Sequence, residues 1–263
     1  MGKCISIHSS RGGTGKTLLA TNLAILLAKK GLNVALLDLD FRAPSLMGIF
    51  SKASSSALDS YLNSYFDGRC PPEVATIDLS KHYGLNTKFL VGLANPDVAA
   101  IRNMAEKSRA WEVSAVKRLI ALRSKLFNEM GIDYCILDTS PGIQYTSVNA
   151  AISSDLSIII TTLDTLDLQG SESMLVDLYD AFEKKTIILL NKVFPSAIKP
   201  AVEWKAEAIY NAEMLLKRPV LGAIPCYCDV LQAKRSVIFA VEKPDHPFVH
   251  DLEKVRERLE TNI

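Results

Sequence analysis

The segment Lys3–Gly31 reads KCISIHSSRGGTGKTLLATNLAILLAKKG and contains, in order, a strand, a glycine-rich loop and a helix. Its first residues alternate in polarity and are β-branched, which predicts a strand over Lys3–Ser10. Apolar residues then recur at helical spacing from Lys16 onwards, and Gly31 is a typical residue for ending a helix. A strand that passes through a glycine loop directly into a helix is the first half of a β–α–β unit.

Short apolar strands continue to alternate with amphipathic helices along the rest of the chain. Nearly uniform apolar strands separated by helices are typical of a parallel sheet that is covered on both faces. We therefore predict a doubly wound α/β fold, with a mainly parallel sheet and helices on both faces, formed by a single domain over residues 1–263. Residues 51–87 are the least regular part and are interpreted as a surface excursion of helices and loops. The other predicted strands lie within residues 33–40, 88–95, 134–142, 155–164, 185–192 and 218–225.

Charge and cysteine content argue against several classes of function. The net charge of +1 gives the chain no overall attraction to nucleic acid or to anionic membranes. Five cysteines at irregular spacings are typical of reduced thiols and not of a disulfide framework. The sequence has neither a signal-peptide pattern nor an apolar stretch long enough to span a bilayer. We therefore expect a cytoplasmic protein.

The loop RGGTGKT, residues 11–17, has the composition of a phosphate-binding loop. Glycines allow backbone N–H groups to turn inward around a phosphate, and the helix that follows adds the positive end of its dipole. Lys16 is placed to reach the β- and γ-phosphates of a nucleotide, and the Thr17 hydroxyl to bind Mg²⁺. The strict motif G-x-x-x-x-G-K-[ST] requires a glycine where this chain has Ser10, so the loop matches a variant, [K/R]-G-G-x-G-K-[ST].

Acidic residues follow two other predicted strands, whose carboxyl ends should meet at the same edge of the sheet. Asp38 and Asp40 lie in LLDLDFRAPSL, and alternation within a strand would turn both carboxylates towards the phosphates. Asp138 ends the apolar run YCILD, where a carboxylate can contact Mg²⁺ or its water ligands. For an isolated strand-end acid, capping of the next turn is the simpler interpretation, but the three segments together favour a nucleotide site.

The segments RGGTGKT, DLDFRAPSL and DTSPGIQ resemble the MinD/ParA family of P-loop ATPases, and the similarity extends from Lys3 to about Ile224. The resemblance implies a P-loop NTPase that binds ATP and Mg²⁺ and hydrolyses ATP slowly, with stimulation by a partner. It also implies that Arg11, at the position of the family's signature lysine, crosses an ATP-dependent homodimer to the partner's nucleotide. Arginine suits this role because its guanidinium stays charged and can hold two phosphate oxygens at once.

The same resemblance implies a role for each residue of the site. Lys16, Asp40 and Arg11 would be catalytic, with Asp40 orienting the attacking water. Asn191 would bind the adenine edge, and SPGIQYTS, residues 140–147, would be a switch segment that moves with the γ-phosphate. The implied nucleotide-binding set is Arg11, Gly12, Gly13, Thr14, Gly15, Lys16, Thr17, Leu18, Asn191, Pro225 and Cys226. The implied metal set is Thr17, Asp38, Asp40 and Asp138.

By resemblance, the cellular role is spatial organisation: the partitioning of chromosomes or plasmids, or the placement of the division site or other machinery. This role requires a protein activator or cargo, which the sequence does not identify. Non-specific DNA is a further candidate partner because residues 107–125 are basic, although an ordinary solvated helix face is the simpler explanation. A membrane partner is not expected, because the tail helix within 248–259 has balanced charges and an apolar stripe suited to packing on the domain.

Two alternative functions remain open on the sequence. An ATP-dependent metallochaperone or iron–sulfur carrier would use Cys226 and Cys228, because two such pairs across a dimer would supply four thiolates. Their C-x-C spacing, and their position where the family contacts adenine, count against this alternative. The other alternative is a scaffold that binds nucleotide without turnover, because the loop motif indicates binding more directly than hydrolysis.

Overall fold

A computed structural model describes residues 2–54, 60–234 and 236–262 of the chain. The strands are β1 (Lys3–His8), β2 (Val34–Asp38), β3 (Thr76–Asp78), β4 (Phe89–Gly92), β5 (Tyr134–Asp138), β6 (Leu156–Thr161), β7 (Thr186–Val193) and β8 (Val220–Pro225). They form one eight-stranded sheet in the order β3-β4-β2-β5-β1-β6-β7-β8. Every neighbouring pair is parallel except β3 with β4, which confirms the predicted mainly parallel sheet.

Helices connect the parallel strands and cover the sheet. They are α1 (Lys16–Lys29), α2 (Leu46–Ser54), α3 (Leu62–Phe66), α4 (Val98–Ala105), α5 (Arg109–Asn128), α6 (Tyr145–Ser153), α7 (Thr165–Met174), α8 (Ala201–Leu216), α9 (Cys228–Gln232), α10 (Phe239–Glu242) and α11 (Pro247–Asn262). A π-helical segment, Leu175–Asp180, continues α7 without a break. π-helical turns are rare and frequently lie at functional sites.

Alternate side chains of the central strand β1 belong to different cores. Ile5 and Ile7 pack in a core with α1, α10 and α11 on one face of the sheet. Cys4 packs in a core with α3, α5 and α6 on the opposite face. Because both faces are covered, β2 and β6 are buried at every residue, which explains their mainly apolar sequences.

The tail helix α11 packs on the domain, as the sequence predicts. Its apolar stripe, Phe248, Leu252, Val255 and Leu259, is at most 3% exposed and belongs to the same core as α1. The structure offers no membrane-spanning candidate among its described helices, because none is both long and apolar enough.

Two details of the predicted elements were wrong. The strand predicted within 33–40 ends at Asp38, so Asp40 lies beyond it. Residues 51–87 are more than a surface excursion: β3 adds an antiparallel edge strand, and the buried Leu62, Phe66 and Ile77 extend the two cores. These contacts are long-range, so the irregular local sequence does not reveal them. Residues 55–59 of that stretch lie outside the described residues. The assignment of 1–263 to a single domain stays a prediction.

Candidate functional site

The loop 11–17 joins the carboxyl end of β1 to the first turn of α1, in a backbone conformation that favours glycine. Gly13 and Gly15 have φ angles of +81° and +99°, in the left-handed region that other residues rarely adopt. A Cβ on Gly15 would also lie 2.4 Å from Nδ2 of Asn191, so this glycine permits a close approach of β7. The loop therefore has the backbone geometry of a phosphate-binding loop.

Two consecutive residues of β7 support the loop from the side. Nδ2 of Asn191 donates to the Thr14 carbonyl at 2.7 Å, and Nζ of Lys192 donates to the Gly13 carbonyl at 2.7 Å. The structure thus places the Asn191 amide against the loop, and its predicted role at the adenine edge stays a prediction. Lys192 was missed by the sequence analysis, and its position directly after Asn191 is the signal that would have found it.

Lys16 lies beneath the loop with its ammonium held in place. The residue is 7% exposed, and Nζ donates to Oγ of Ser9 at 2.8 Å. Burial lowers the pKa of Lys16, whereas the carboxylates of Asp138 and Asp40 raise it. A buried cation close to these carboxylates is suited to attract the charge of a bound phosphate.

Asp138 is a buried carboxylate without a hydrogen-bond partner. It is 1% exposed, and neither of its oxygens accepts a hydrogen bond from the described part of the chain. Burial raises the pKa of Asp138 to about 7, opposed by the Lys16 ammonium and by the Thr17 hydroxyl, which lies near the carboxylate but outside ordinary hydrogen-bond geometry. A buried acceptor without a partner carries a large desolvation cost, which a bound cation would remove.

These residues fit a magnesium ion. Thr17 and Asp138 offer oxygen donors, and Oγ1 of Thr17 also lies 3.0 Å from Oγ of Ser45. Within the described ranges, no group of three or more His, Cys, Asp or Glu side chains could hold a metal ion by itself. That is consistent with magnesium, because nucleotide sites bind this ion through one or two protein groups, phosphates and water.

Asp38 and Asp40 were predicted to point the same way, but they have different environments. Asp38 is fully buried and accepts from the backbone N–H of Asp40 at 3.0 Å and of Leu46 at 3.2 Å. It therefore caps the turn after β2, and its place in the implied metal set, like that of Asp40, stays a prediction. Asp40 lines the cavity described below, and its Oδ1 accepts from Oγ of Ser140 at 2.7 Å. Burial raises the pKa of Asp38, and the nearby Asp138 carboxylate raises it further.

The loop opens into a cavity of about 520 Å³. Six residues of the predicted nucleotide-binding set line it: Gly12, Gly13, Gly15, Lys16, Thr17 and Leu18. The lining also includes an apolar wall from α2 and from the region of α9 and α10: Ile49, Val230, Leu231, Ala233, Val237 and Phe239. This wall was not predicted from the sequence, because its apolar residues carry no chemical signal. Among the described lining residues, Asn191, Pro225 and Cys226 do not appear, so their assignment to adenine stays a prediction.

Arg11 lies at the rim of the loop and contacts its own chain. Its guanidinium is 3.5 Å from Oδ1 of Asp164 and 3.6 Å from Oδ1 of Asp167, and its side chain is 51% exposed. Asp164 also caps α7 by accepting from the backbone N–H of Leu166 and Asp167. The guanidinium therefore lies beside the first turn of α7, while half of its surface is open to a partner.

The five cysteines are free thiols. Cys4 and Cys135 are buried in the sheet, Cys226 is half-buried and Cys228 is exposed. Among the described residues, neither Cys226 nor Cys228 belongs to a group of side chains that could hold a metal ion.

Three of the six basic residues of 107–125 form ion pairs within the chain. Lys107 pairs with Asp67 at 2.7 Å, Arg123 with Asp155 at 2.6 Å, and Lys125 with Glu73 at 2.5 Å. These pairs reduce the charge that this face offers to a phosphate backbone. They favour the interpretation of an ordinary helix face.

Comparison with known proteins identifies a family. The model of the CobQ/CobB/MinD/ParA nucleotide-binding domain matches residues 5–236. The septum site-determining protein MinD of Thermotoga maritima is 24% identical over 243 residues, which is 90% of this chain and 80% of that protein.

Solved structures have the same fold. The cell division ATPase MinD of Pyrococcus furiosus superposes with a TM-score of 0.77 at 21% identity and covers 100% of both chains. The septum site-determining protein MinD of Pyrococcus horikoshii, complexed with Mg-ADP, has a TM-score of 0.76 at 19% identity and covers 100% of this chain and 97% of that chain. At 19–21% sequence identity, the structural similarity to these two proteins establishes the fold of this chain.

Proposed function

Because this chain belongs to the CobQ/CobB/MinD/ParA nucleotide-binding family of P-loop ATPases, we propose that it is an ATP-driven dimerisation switch with slow, partner-stimulated hydrolysis. One observation carries the proposal: a glycine-dependent loop, a buried lysine and a buried carboxylate without a partner surround the start of α1. Each of these features is costly for the isolated chain, and a bound magnesium–nucleotide would compensate all three.

In this proposal the site residues act on the phosphates of ATP. The loop N–H groups and Lys16 would bind the β- and γ-phosphates, and Thr17 and Asp138 would hold Mg²⁺, which would neutralise phosphate charge. Asp40 orients the water that attacks the γ-phosphorus, so that the bond to the bridging oxygen breaks and ADP leaves. The hydrogen bond from Ser140 fixes the Asp40 carboxylate and connects it to the switch segment 140–147.

Arg11 is proposed to act across the dimer. Its contacts with Asp164 and Asp167 are longer than ordinary charged hydrogen bonds and are partly exposed to solvent, so little energy opposes their release. A partner's phosphates would offer the guanidinium a more favourable, desolvated site.

The proposed role is the positioning of cellular machinery from the cytoplasm, through a protein activator or cargo. The name of the Thermotoga maritima relative, a septum site-determining protein, supports this class of role.

DNA is a weaker candidate partner because Lys107, Arg123 and Lys125 are paired within the chain. The buried stripe of α11 argues against a membrane anchor at that helix. The iron–sulfur alternative is also weaker, because among the described residues neither Cys226 nor Cys228 belongs to a group of side chains that could hold a metal ion.

The test is the molar mass of the purified protein by light scattering, with ADP and then with ATP, each with Mg²⁺. Asp40→Ala, which should bind ATP without turnover, is expected to be a monomer with ADP and a dimer with ATP. Arg11→Ala should stay monomeric with ATP, whereas Arg102→Ala, an exposed arginine on α4, should dimerise. A mass that does not respond to the nucleotide would contradict the switch, and tight ATP binding by Lys16→Ala would contradict the loop assignment.

A further inference from the structure

His8 is a buried, titratable residue to which the proposed mechanism gives no role. It is the last residue of β1 and is 0% exposed. Its Nδ1 lies 2.7 Å from the hydroxyl of Tyr179, and its Nε2 lies 2.9 Å from the carbonyl oxygen of Gly142. The imidazole therefore connects the end of β1 with two segments that are far away in the sequence.

These two contacts define the tautomer of the ring. A carbonyl oxygen can only accept a hydrogen bond, so Nε2 must carry the proton and donate it to Gly142. If the ring is neutral, Nδ1 is then an acceptor, and the Tyr179 hydroxyl donates to it. Burial lowers the pKa of His8 to about 4, so the neutral ring is the form present near neutral pH.

The two partners of His8 belong to segments with different roles. Gly142 lies in the switch segment 140–147, and its own N–H donates to the Ser9 carbonyl at 2.8 Å. Both polar groups of the Gly142 backbone are thus bound to consecutive residues at the end of β1. The Gly142 carbonyl also accepts from Oγ of Ser147 at 2.7 Å and from the N–H of Gln144 at 3.0 Å, but both of these donors belong to the switch segment itself, so His8 is the donor that connects this carbonyl to β1. Tyr179, 0% exposed, lies in the π-helical segment that continues α7, the helix whose first turn contacts Arg11.

We propose that His8 is a positioning residue that fastens the switch segment and the π-helical segment to the end of β1 through one fixed neutral tautomer. The expected effect of His8 on ATP turnover rests on the proposed switch role of 140–147. The two hydrogen bonds of His8 and their effect on local structure do not depend on that role. Ser140 orients Asp40 and Pro141 lines the cavity, so loosening at Gly142 would be transmitted directly to the catalytic carboxylate.

Two substitutions separate the two bonds. In His8→Gln, the side-chain amide can reach the former Nε2 position and donate to Gly142, but the acceptor for Tyr179 is lost. In His8→Asn, the shorter amide can accept from Tyr179, but the donor to Gly142 is lost. Amide hydrogen exchange of the nucleotide-free protein measures the two bonds separately. The exchange rate over 140–147 reports on the bond to Gly142, and the rate over 175–180 reports on the bond to Tyr179.

We expect His8→Asn to speed exchange in 140–147 by about tenfold, the effect of losing one hydrogen bond of ordinary strength, and to leave 175–180 unchanged. His8→Gln should show the reverse pattern. Tyr179→Phe should speed exchange in 175–180, whereas the matched control Tyr65→Phe, which loses a hydrogen bond to the Arg118 carbonyl, should not. In the ATPase assay, His8→Asn should lower kcat by about tenfold with little change in KM, because the loop that binds the phosphates is intact.

Equal acceleration of both segments by both variants would overturn the inference, because it would show a general loss of packing. A measurement on the wild type tests the proposed tautomer of His8 even if the variants fold poorly. The ¹⁵N shifts of the His8 ring should show a protonated Nε2 and an unprotonated Nδ1, and the opposite tautomer would also overturn the inference. If the wild type does not hydrolyse ATP, the proposed function fails, while the exchange and ring measurements still decide the role of His8.

Discussion

Acidification should weaken the folded protein through His8. Burial is the main reason that the pKa of His8 falls from its ordinary value of 6.5 to about 4; the Lys16 ammonium lowers it further and the Gly142 carbonyl opposes the change. Between these two pH values the unfolded chain binds a proton at His8 and the folded chain does not. The stability that the neutral ring contributes is therefore complete above 6.5 and decreases as the pH falls towards 4.

The size of this effect can be derived from the two pKa values. The whole difference corresponds to about 3 kcal/mol in the free energy of unfolding, of which about 2 kcal/mol is lost between about pH 7.5 and about pH 5. Asp38 and Asp138 act in the opposite direction. Burial raises the pKa of both carboxyl groups, so the folded chain takes up their protons first and gains stability as the pH falls. The pH dependence of the wild type alone therefore does not isolate His8.

A comparison with His8→Gln isolates the histidine, because glutamine does not titrate and both acids are common to the two proteins. Urea unfolding of the protein without nucleotide or magnesium at about pH 7.5, 6 and 5 gives the free energies. We expect the stability advantage of the wild type over His8→Gln to shrink by about 2 kcal/mol across this range. A difference that stays constant within about 0.5 kcal/mol would refute the assignment of His8 as a buried neutral group.

Three further changes test other parts of the structure. Asp138→Asn should stabilise the nucleotide-free protein at about pH 8 by about 1–3 kcal/mol in urea unfolding. Burial raises the pKa of the Asp138 carboxyl to about 7 despite the nearby Lys16 ammonium, so the charged form is costly in the folded chain at that pH, and a loss of stability would contradict this. Leu252→Ala should lower the free energy of unfolding by about 2–5 kcal/mol because it leaves a cavity under α11. The control Val202→Ala, at an exposed position, should change that free energy by no more than about 0.5 kcal/mol. Equal losses in the two variants would exclude the core assignment of Leu252. The double variant Cys226→Ser with Cys228→Ser should bind ATP like the wild type in a fluorescent-nucleotide titration, and metal bound by the wild type but not by this variant would reopen the carrier alternative.

The sequence alone determined the architecture and the phosphate-binding loop. Uniformly apolar strands that alternate with amphipathic helices require burial on both faces, which leaves a parallel, doubly wound sheet as the natural arrangement. The glycines at 13 and 15 indicate the left-handed backbone that the structure has, because few other residues tolerate it. The apolar stripe of α11 likewise predicted which face of that helix is buried, because helical periodicity is a local property.

Only the tertiary structure decided how individual polar side chains are used. Asp38 and Asp40 look equivalent in the sequence, but β2 ends between them. Asp38 is buried and caps the turn that follows, whereas Asp40 lines the cavity. His8 and Tyr179 are 171 residues apart, and β3 joins the sheet only through its antiparallel pairing with β4. Such roles depend on which groups meet across the fold, since a buried donor or acceptor must find its partner wherever the topology brings one.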